Sequence, residues 1–179
     1  VAAAGRGGTH HATILRPPRD ADRTFLKSLR ADAALQSLLL TVPALVDDVS
    51  FEGWLQRRRN EVGGCFLIVT DHEGAQPAGY VQITQVHRNN GTGYGGIVLA
   101  DEARGRGLGR SALSDLAAHA RRFLGLRKLM AEIRSDNVAS INLHLSAGYR
   151  EVGVLQEHFV DVDGRFHDVK LFERRIEEL

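Results

Sequence analysis

Apolar residues recur along this chain with two periods, and the switches between them divide it into elements. Residues 13–16 read as a short strand stopped by Pro17 and Pro18. Residues 20–29 and 31–40 carry apolar side chains at helical spacing, and 51–60 predict a third helix. The compact apolar run Cys65–Thr70 is a strand, and a turn over 71–77 containing Gly74 leads into a second strand over 78–86, giving a hairpin. Asn89-Asn90-Gly91 predicts another tight turn, which makes the strand ending at Ile97-Val98-Leu99-Ala100 the third member of a meander. From Leu108 the positions Leu108, Ala112, Leu113, Leu116, Ala117, Ala120, Phe123 and Leu124 form one helical face, closed by Gly125. Lys128–Arg134 is a strand, 138–147 a short helix closed by Gly148, and 150–159 and 166–172 are two strands joined through Asp163-Gly164, which suggests a type I′ hairpin. A strand–helix–strand crossover makes its flanking strands parallel. The expected class is therefore mixed α/β: an antiparallel meander followed by a parallel crossover, flanked by helices.

At 179 residues and 43% hydrophobic content, the pattern fits a single domain over 13–179 preceded by a loose leader over 1–12. The adjacent His10 and His11 in that leader lack the further ligands that close a metal site, and no metal is expected. Lys and Arg total 23 against 22 Asp and Glu, so no large field exists for a nucleic-acid backbone or an anionic membrane, and the stretch has no apolar run long enough to span one. The single cysteine, Cys65, excludes an internal disulfide framework. A cytoplasmic setting is the default expectation.

Positive charge concentrates at two places. Arg57-Arg58-Arg59 reads most simply as a solvated helix end, with phosphate binding as the minor alternative. The other is 97–110, IVLADEARGRGLGR, where a strand runs into a glycine-rich basic loop and then directly into a helix. Amides at a helix start have no intrahelical acceptors and sit at the positive end of the macrodipole, so this order of elements suits a diphosphate. Gly105, Gly107 and Gly109 would let phosphates approach the backbone, Arg104, Arg106 and Arg110 would add fixed charge, and Leu108 would open the helix. The spacing is neither that of Walker A nor that of the dinucleotide fingerprint. A ligand-free surface turn is the bland alternative.

A second motif narrows the reading. In 137–149, NVASINLHLSAGY, Asn137 and Ser140 stand at a helix start, Ile141 and Leu143 supply an apolar face, and Gly148-Tyr149 end it. Together with the loop Arg104-x-x-Gly107-x-Gly109 and the strand Gly79-Tyr80-Val81, this resembles the GCN5-related N-acetyltransferases over roughly 63–174. Two subgroups are most similar: enzymes that acetylate N-terminal amines of ribosomal proteins and enzymes that acetylate nucleotide-linked amino sugars.

The resemblance implies acetyl-coenzyme A as cosubstrate and a direct acetyl transfer to the primary amine of a small acceptor, with an amino-sugar nucleotide favoured. Peptide N-termini and aminoglycosides are the alternatives, and a noncatalytic acyl-coenzyme A sensor is the reading of another class. A homodimer is a compatible assembly. The pantetheine arm would lie against the strand that carries Val98 and Leu99, where a backbone N–H would stabilise the oxyanion. Asn137 and Ser140 would belong to the cofactor side. The family usually places a tyrosine where this chain has His144, which as an imidazolium would donate a proton to the leaving thiolate; the alternative is a wall residue. Glu132 and His87, each on a strand, are the candidates for general base, and either is equally readable as a solvent-facing residue. Cys65 as an acyl-enzyme nucleophile is the weakest option, since no activating base lies near it in sequence.

Overall fold

The computed structural model of the chain describes residues 13–43, 45–71 and 76–176; the expected leader and most of the first hairpin turn lie outside the described residues. Seven strands form one sheet: β1 (Ile14–Arg16), β2 (Cys65–Thr70), β3 (Pro77–His87), β4 (Thr92–Leu99), β5 (Lys128–Arg134), β6 (Arg150–Val160) and β7 (Phe166–Arg175). Their order across the sheet is β1-β2-β3-β4-β5-β7-β6, and every neighbouring pair is antiparallel except β4 with β5. The helices are α1 (Arg23–Ala31), α2 (Ala33–Leu38), α3 (Asp48–Arg59), α4 (Leu108–Leu124) and α5 (Val138–Ser146). This is the mixed architecture expected from the pattern, with the parallel pair produced by the α4 crossover. None of the described helices is long and apolar enough to cross a membrane.

Alternation along the strands sends side chains to two separate cores. Val81, Ile83, Leu129, Ala131 and Ile133 pack with Leu113, Leu116 and Ala120 of α4 on one face. Phe66, Ile68, Tyr80 and Val98 pack with Leu26, Leu29, Leu35, Trp54 and Leu55 of α1 to α3 on the other. β4 contributes to both, because Val98 faces α1 to α3 while Ile97 and Leu99 face α4. The β3–β4 ladder is unusually close: a Cβ at Gly79 would fall 2.0 Å from the Val98 carbonyl oxygen, so glycine alone fits there.

Several boundaries differ from the pattern for local reasons. The first helix begins with a 3-10 turn over Asp20–Asp22, because the buried Asp22 carboxylate is gripped by Arg16 at 2.7 and 2.8 Å and accepts from the Arg19 amide at 2.7 Å. Asp32 accepts from the Leu35 amide at 2.9 Å and so starts a new helix, which ends at Leu38, two residues before Leu40 takes a positive φ of 56°. The third helix starts at Asp48, earlier than expected, since Asp47 caps it through the Ser50 amide at 2.8 Å. The last hairpin is not type I′, which would need positive φ at two central residues. Only Gly164 is left-handed, at 77°, and Asp161 accepts from the amides of Asp163 and Arg165, so the turn is a type I turn with a glycine bulge.

Candidate active site

The parallel pairing of β4 with β5 covers only Thr92–Tyr94 against Lys128–Met130. Beyond it the strands separate, while β3 and β7 stay paired to their outer edges. Which β4 groups face the gap follows from the alternation of an antiparallel ladder. The Ala100 amide donates to Ala78 O at 2.9 Å, so Ala100, Val98 and Gly96 turn their backbone groups towards β3. Leu99, Ile97 and Gly95 therefore turn theirs into the gap. Val98 is thus displaced from the role expected for its amide, and Ile97 joins Leu99 as a gap-facing donor that sequence reasoning missed.

A cavity of about 730 Å³ runs along this gap and continues to both faces of the sheet. On the α4 face it is bordered by Arg104, Gly105, Gly107, Gly109 and Arg110. Gly105 and Gly107 have φ of 70° and 78°, and the left-handed Gly107 is the residue from which α4 starts, which leaves the first amides of a 17-residue helix towards the cavity. Arg104 folds back, with Nε and Nη2 donating to Leu99 O at 3.3 and 3.2 Å and Nη1 paired with Asp101 at 2.8 Å. Arg106 is exposed and outside the cavity wall, and Leu108 is a core residue whose side chain is buried. Gly109 is small for a further reason besides the one its motif suggested. A Cβ there would meet Leu143 at 3.0 and 3.1 Å, so it permits the close approach of α4 and α5 at the edge of the cavity.

Asn137 starts α5, its Oδ1 accepting from the Ser140 amide at 3.2 Å, and both residues line the cavity. One turn on, His144 is buried against Tyr149 and Phe172, with ring centroids 4.9 and 6.4 Å away. Its Nδ1 stands 2.8 Å from Ser140 O, an acceptor, so Nδ1 carries the hydrogen and the buried Nε2 is left as a lone pair without a protein partner among the described residues. Burial holds the imidazole below its ordinary pKa, against the opposing effect of the Ser140 carbonyl. A neutral ring with its only N–H committed to α5 does not match the imidazolium donor expected at this position.

That burial has a measurable consequence for stability. The unfolded chain takes a proton on His144 near pH ~6.5, whereas the folded chain does so only at lower pH. The contribution is therefore complete above the unfolded value and is lost as pH falls through the folded one. Urea midpoints of His144→Phe should decline less steeply than those of the wild type below pH ~6.5. His119, also depressed by burial, remains in both proteins and cancels. Parallel curves would show that His144 does not titrate in the folding equilibrium.

On the opposite face, the cavity wall is built from Arg30, Gln36, Trp54, Arg58, Tyr80, Gln82, Tyr94 and Glu132. Tyr80 belongs to the α1 to α3 face, Gln82 and Tyr94 follow by alternation, and Glu132 lies between the inward Ala131 and Ile133 and so points the other way from them. Trp54 packs edge-on to Phe66 and Tyr80, fixing α3 over the strands. Tyr80 is buried and its phenol is pushed up to about 12 by desolvation, so it stays protonated. Glu132 is exposed and reaches the cavity, as its candidacy for general base requires. His87 stands at the far end of β3, exposed, with Nδ1 accepting from the Asn90 amide at 3.3 Å, and does not line the cavity. Cys65 is also outside it, and burial pushes its thiol up to about 11, which removes the thiolate a nucleophile would need at neutral pH.

The helical wall of this second side was unreadable in the sequence. Trp54 and Arg58 are four residues apart on α3 and share a face, a spacing that distinguishes Arg58 from its neighbours Arg57 and Arg59.

Comparison with known proteins agrees with this geometry. Residues 13–150 match the family model described as an acetyltransferase (GNAT) domain. A spermidine N(1)-acetyltransferase of Vibrio cholerae is 28% identical over 90 residues, a match that takes in 50% of this chain and 50% of that protein, so this chain aligns with about half the length of that relative. The crystal structure of spermidine N-acetyltransferase from Vibrio cholerae in complex with CoA and spermine superposes with a TM-score of 0.83 at 21% identity, covering 92% of this chain and 95% of that one. A structure of the Vibrio cholerae spermidine/spermine N-acetyltransferase in complex with manganese ions gives 0.74 at 21% identity, with 92% of each chain covered. At that identity the superpositions establish the shared fold, and the match of the family model over most of the length establishes the rest: the chain belongs to the GCN5-related N-acetyltransferase family.

Proposed function

We propose that this chain transfers an acetyl group from acetyl-coenzyme A to the primary amine of a small acceptor. The carrying observation is the gap between β4 and β5, which joins an anion-suited helix start on one face to a polar, aromatic-walled pocket on the other. The residues present fit the cofactor. The α4 amides after Gly107, with Arg110 beside them, would hold its diphosphate, and the β4 edge around Ile97 and the Leu99 amide, beyond the β5 pairing, would pair with the amide-bearing arm as an added strand does. Asn137 and Ser140 border the same side. Bound there, the cofactor supplies an acyl thioester.

The remaining steps belong to the chain. One amide of the gap-facing set, that of Ile97 or of Leu99, is the donor for the negative charge that develops on the acyl oxygen as the amine attacks, and the other is left to the arm. Glu132, on the acceptor face, takes the proton that keeps the amine from attacking as ammonium. A second proton leaves the nitrogen as the C–N bond forms, and one is gained by sulfur as the C–S bond breaks, so the transfer balances without an acid at His144. His144 then serves as a neutral wall that fixes α5 against Tyr149 and Phe172.

The test is acceptor-dependent release of free thiol, with the acetylated acceptor identified by mass spectrometry. Tight acetyl-coenzyme A binding without release against a broad amine panel would favour a sensor and defeat the enzyme reading.

A further inference from the structure

Arg30 on α1 and Arg58 on α3 enter the acceptor wall from two separate helices, and the surroundings of Arg30 hold it in place. Its Nη1 donates to Gln36 Oε1 at 2.5 Å, and its guanidinium lies over the Trp54 ring, 5.8 Å from the centroid. Gln36 is itself buried and fixed, its Nε2 donating to Leu29 O at 2.9 Å while Oε1 also accepts from the Thr41 hydroxyl at 2.8 Å. Such a scaffold is more than a flexible surface cation needs.

The scaffold includes no counter-charge. Several other arginines meet carboxylates, as in Arg16 with Asp22, Arg134 with Asp136 and Arg150 with Glu173. Among the described residues no carboxylate pairs with Arg30 or Arg58, and the like charges of Arg58 and Arg57 bear on Arg30. Desolvation first, and in the same direction these like charges, oppose the Arg30 cation. Two cations gathered in a partly desolvated wall, one of them rigidly oriented, are stabilised by an anion that arrives with the ligand.

We propose that Arg30 and Arg58 bind an anionic group of the acceptor, a phosphate or a carboxylate, so that the chain acetylates an amine carried on an anion and disfavours free polyamines. The proposal rests on the acetyl-transfer reading. A polyamine would bring several ammonium groups to a wall whose charged members, besides Glu132, are arginines, whereas an amino-sugar phosphate or an amino acid would present one amine to Glu132 and one anion to the pair. The proposed preference differs from the substrates named for the Vibrio cholerae relatives; the amino-sugar nucleotide expected from the sequence is one acceptor that would carry such an anion.

The experiment uses matched acceptors: glucosamine 6-phosphate with glucosamine, 4-aminobutanoate with butylamine, and spermidine, each followed by thiol release and by calorimetry on the coenzyme A-saturated protein. At least one anion-bearing member should exceed its partner without the anion in kcat/KM by about 10- to 100-fold, the range of a charge-assisted contact, and the pair that responds tells phosphate from carboxylate. In Arg58→Gln, which leaves the Gln36 and Trp54 packing of Arg30 in place, that ratio should collapse through KM while acetyl-coenzyme A affinity holds. Spermidine turnover equal to that of the best anionic acceptor would overturn the proposal, as would failure of both anions to bind. A loss of acetyl-coenzyme A affinity in Arg58→Gln would also overturn it, by assigning the pair to the cofactor. Arginine-dependent binding of an anion without thiol release would keep Arg30 and Arg58 as an anion site and overturn the acetyl-transfer reading instead.

Discussion

Gly107→Glu should lower acetyl-coenzyme A affinity by about a hundredfold or more while the chain still folds. The substitution places a carboxylate at the residue from which α4 starts, where the free amides and the positive end of the helix would otherwise meet a diphosphate. Losing one or two charge-assisted hydrogen bonds at ~1.5–3 kcal/mol each gives a change of that size. The left-handed φ of 78° also strains any side chain there, by roughly 1–2 kcal/mol. Gly107→Asn is therefore the matched control, since asparagine tolerates that conformation and adds no charge. Calorimetry and the rise of Tm with added cofactor read the two variants. Equal affinity of Gly107→Glu and wild type would remove the loop from the site. Equal losses in Glu and Asn would assign the effect to the space that any side chain occupies there rather than to charge.

The cofactor side was legible because its chemistry is carried by the backbone, and the backbone is announced by glycine. The strand β2, helix α4 and strand β5 fall where apolar runs are bounded by glycine or polar breaks, and the loop between β4 and α4 lies where the motif put it. Two features of that motif are set by more than the motif itself. Gly109 answers to Leu143 of another helix, and the gap-facing parity of Ile97 and Leu99, which excludes Val98, is set by the pairing of Ala100 with Ala78. Both depend on a partner distant in sequence. The acceptor wall was illegible for the same reason on a larger scale. α1 to α3 are short, broken by the local hydrogen bonds of Asp22, Asp32 and Asp47, and their meaning comes from which side chains they bring to β3, β4 and β5. His144 occupies its expected place in α5, but its burial and its bond to Ser140 decide its protonation, and neither can be read from the residue type.

Replacing Glu132 by glutamine should reduce kcat at neutral pH by ~10² to 10⁴, the range of a general base, with little change in the KM for acetyl-coenzyme A. Glu132 lies on β5 beyond the point where that strand parts from β4, on the face that carries Tyr94 and Gln82, and it is the one carboxylate in the described cavity wall. A primary amine is mostly ammonium near pH 7, and an ammonium has no lone pair with which to attack, so the transfer waits on removal of a proton. Glutamine keeps the size and the hydrogen-bonding reach of the side chain but cannot accept that proton. The deficit should then shrink as pH rises and the free amine becomes plentiful, because the step that Glu132 performs is no longer needed. A general acid at His144 would leave a different signature, a wild-type rate that itself falls as pH rises and the imidazolium disappears. Equal single-turnover rates for wild type and Glu132→Gln at neutral pH would remove Glu132 from the reaction. A deficit that persists unchanged to alkaline pH would assign Glu132 to positioning the acceptor instead of deprotonating it.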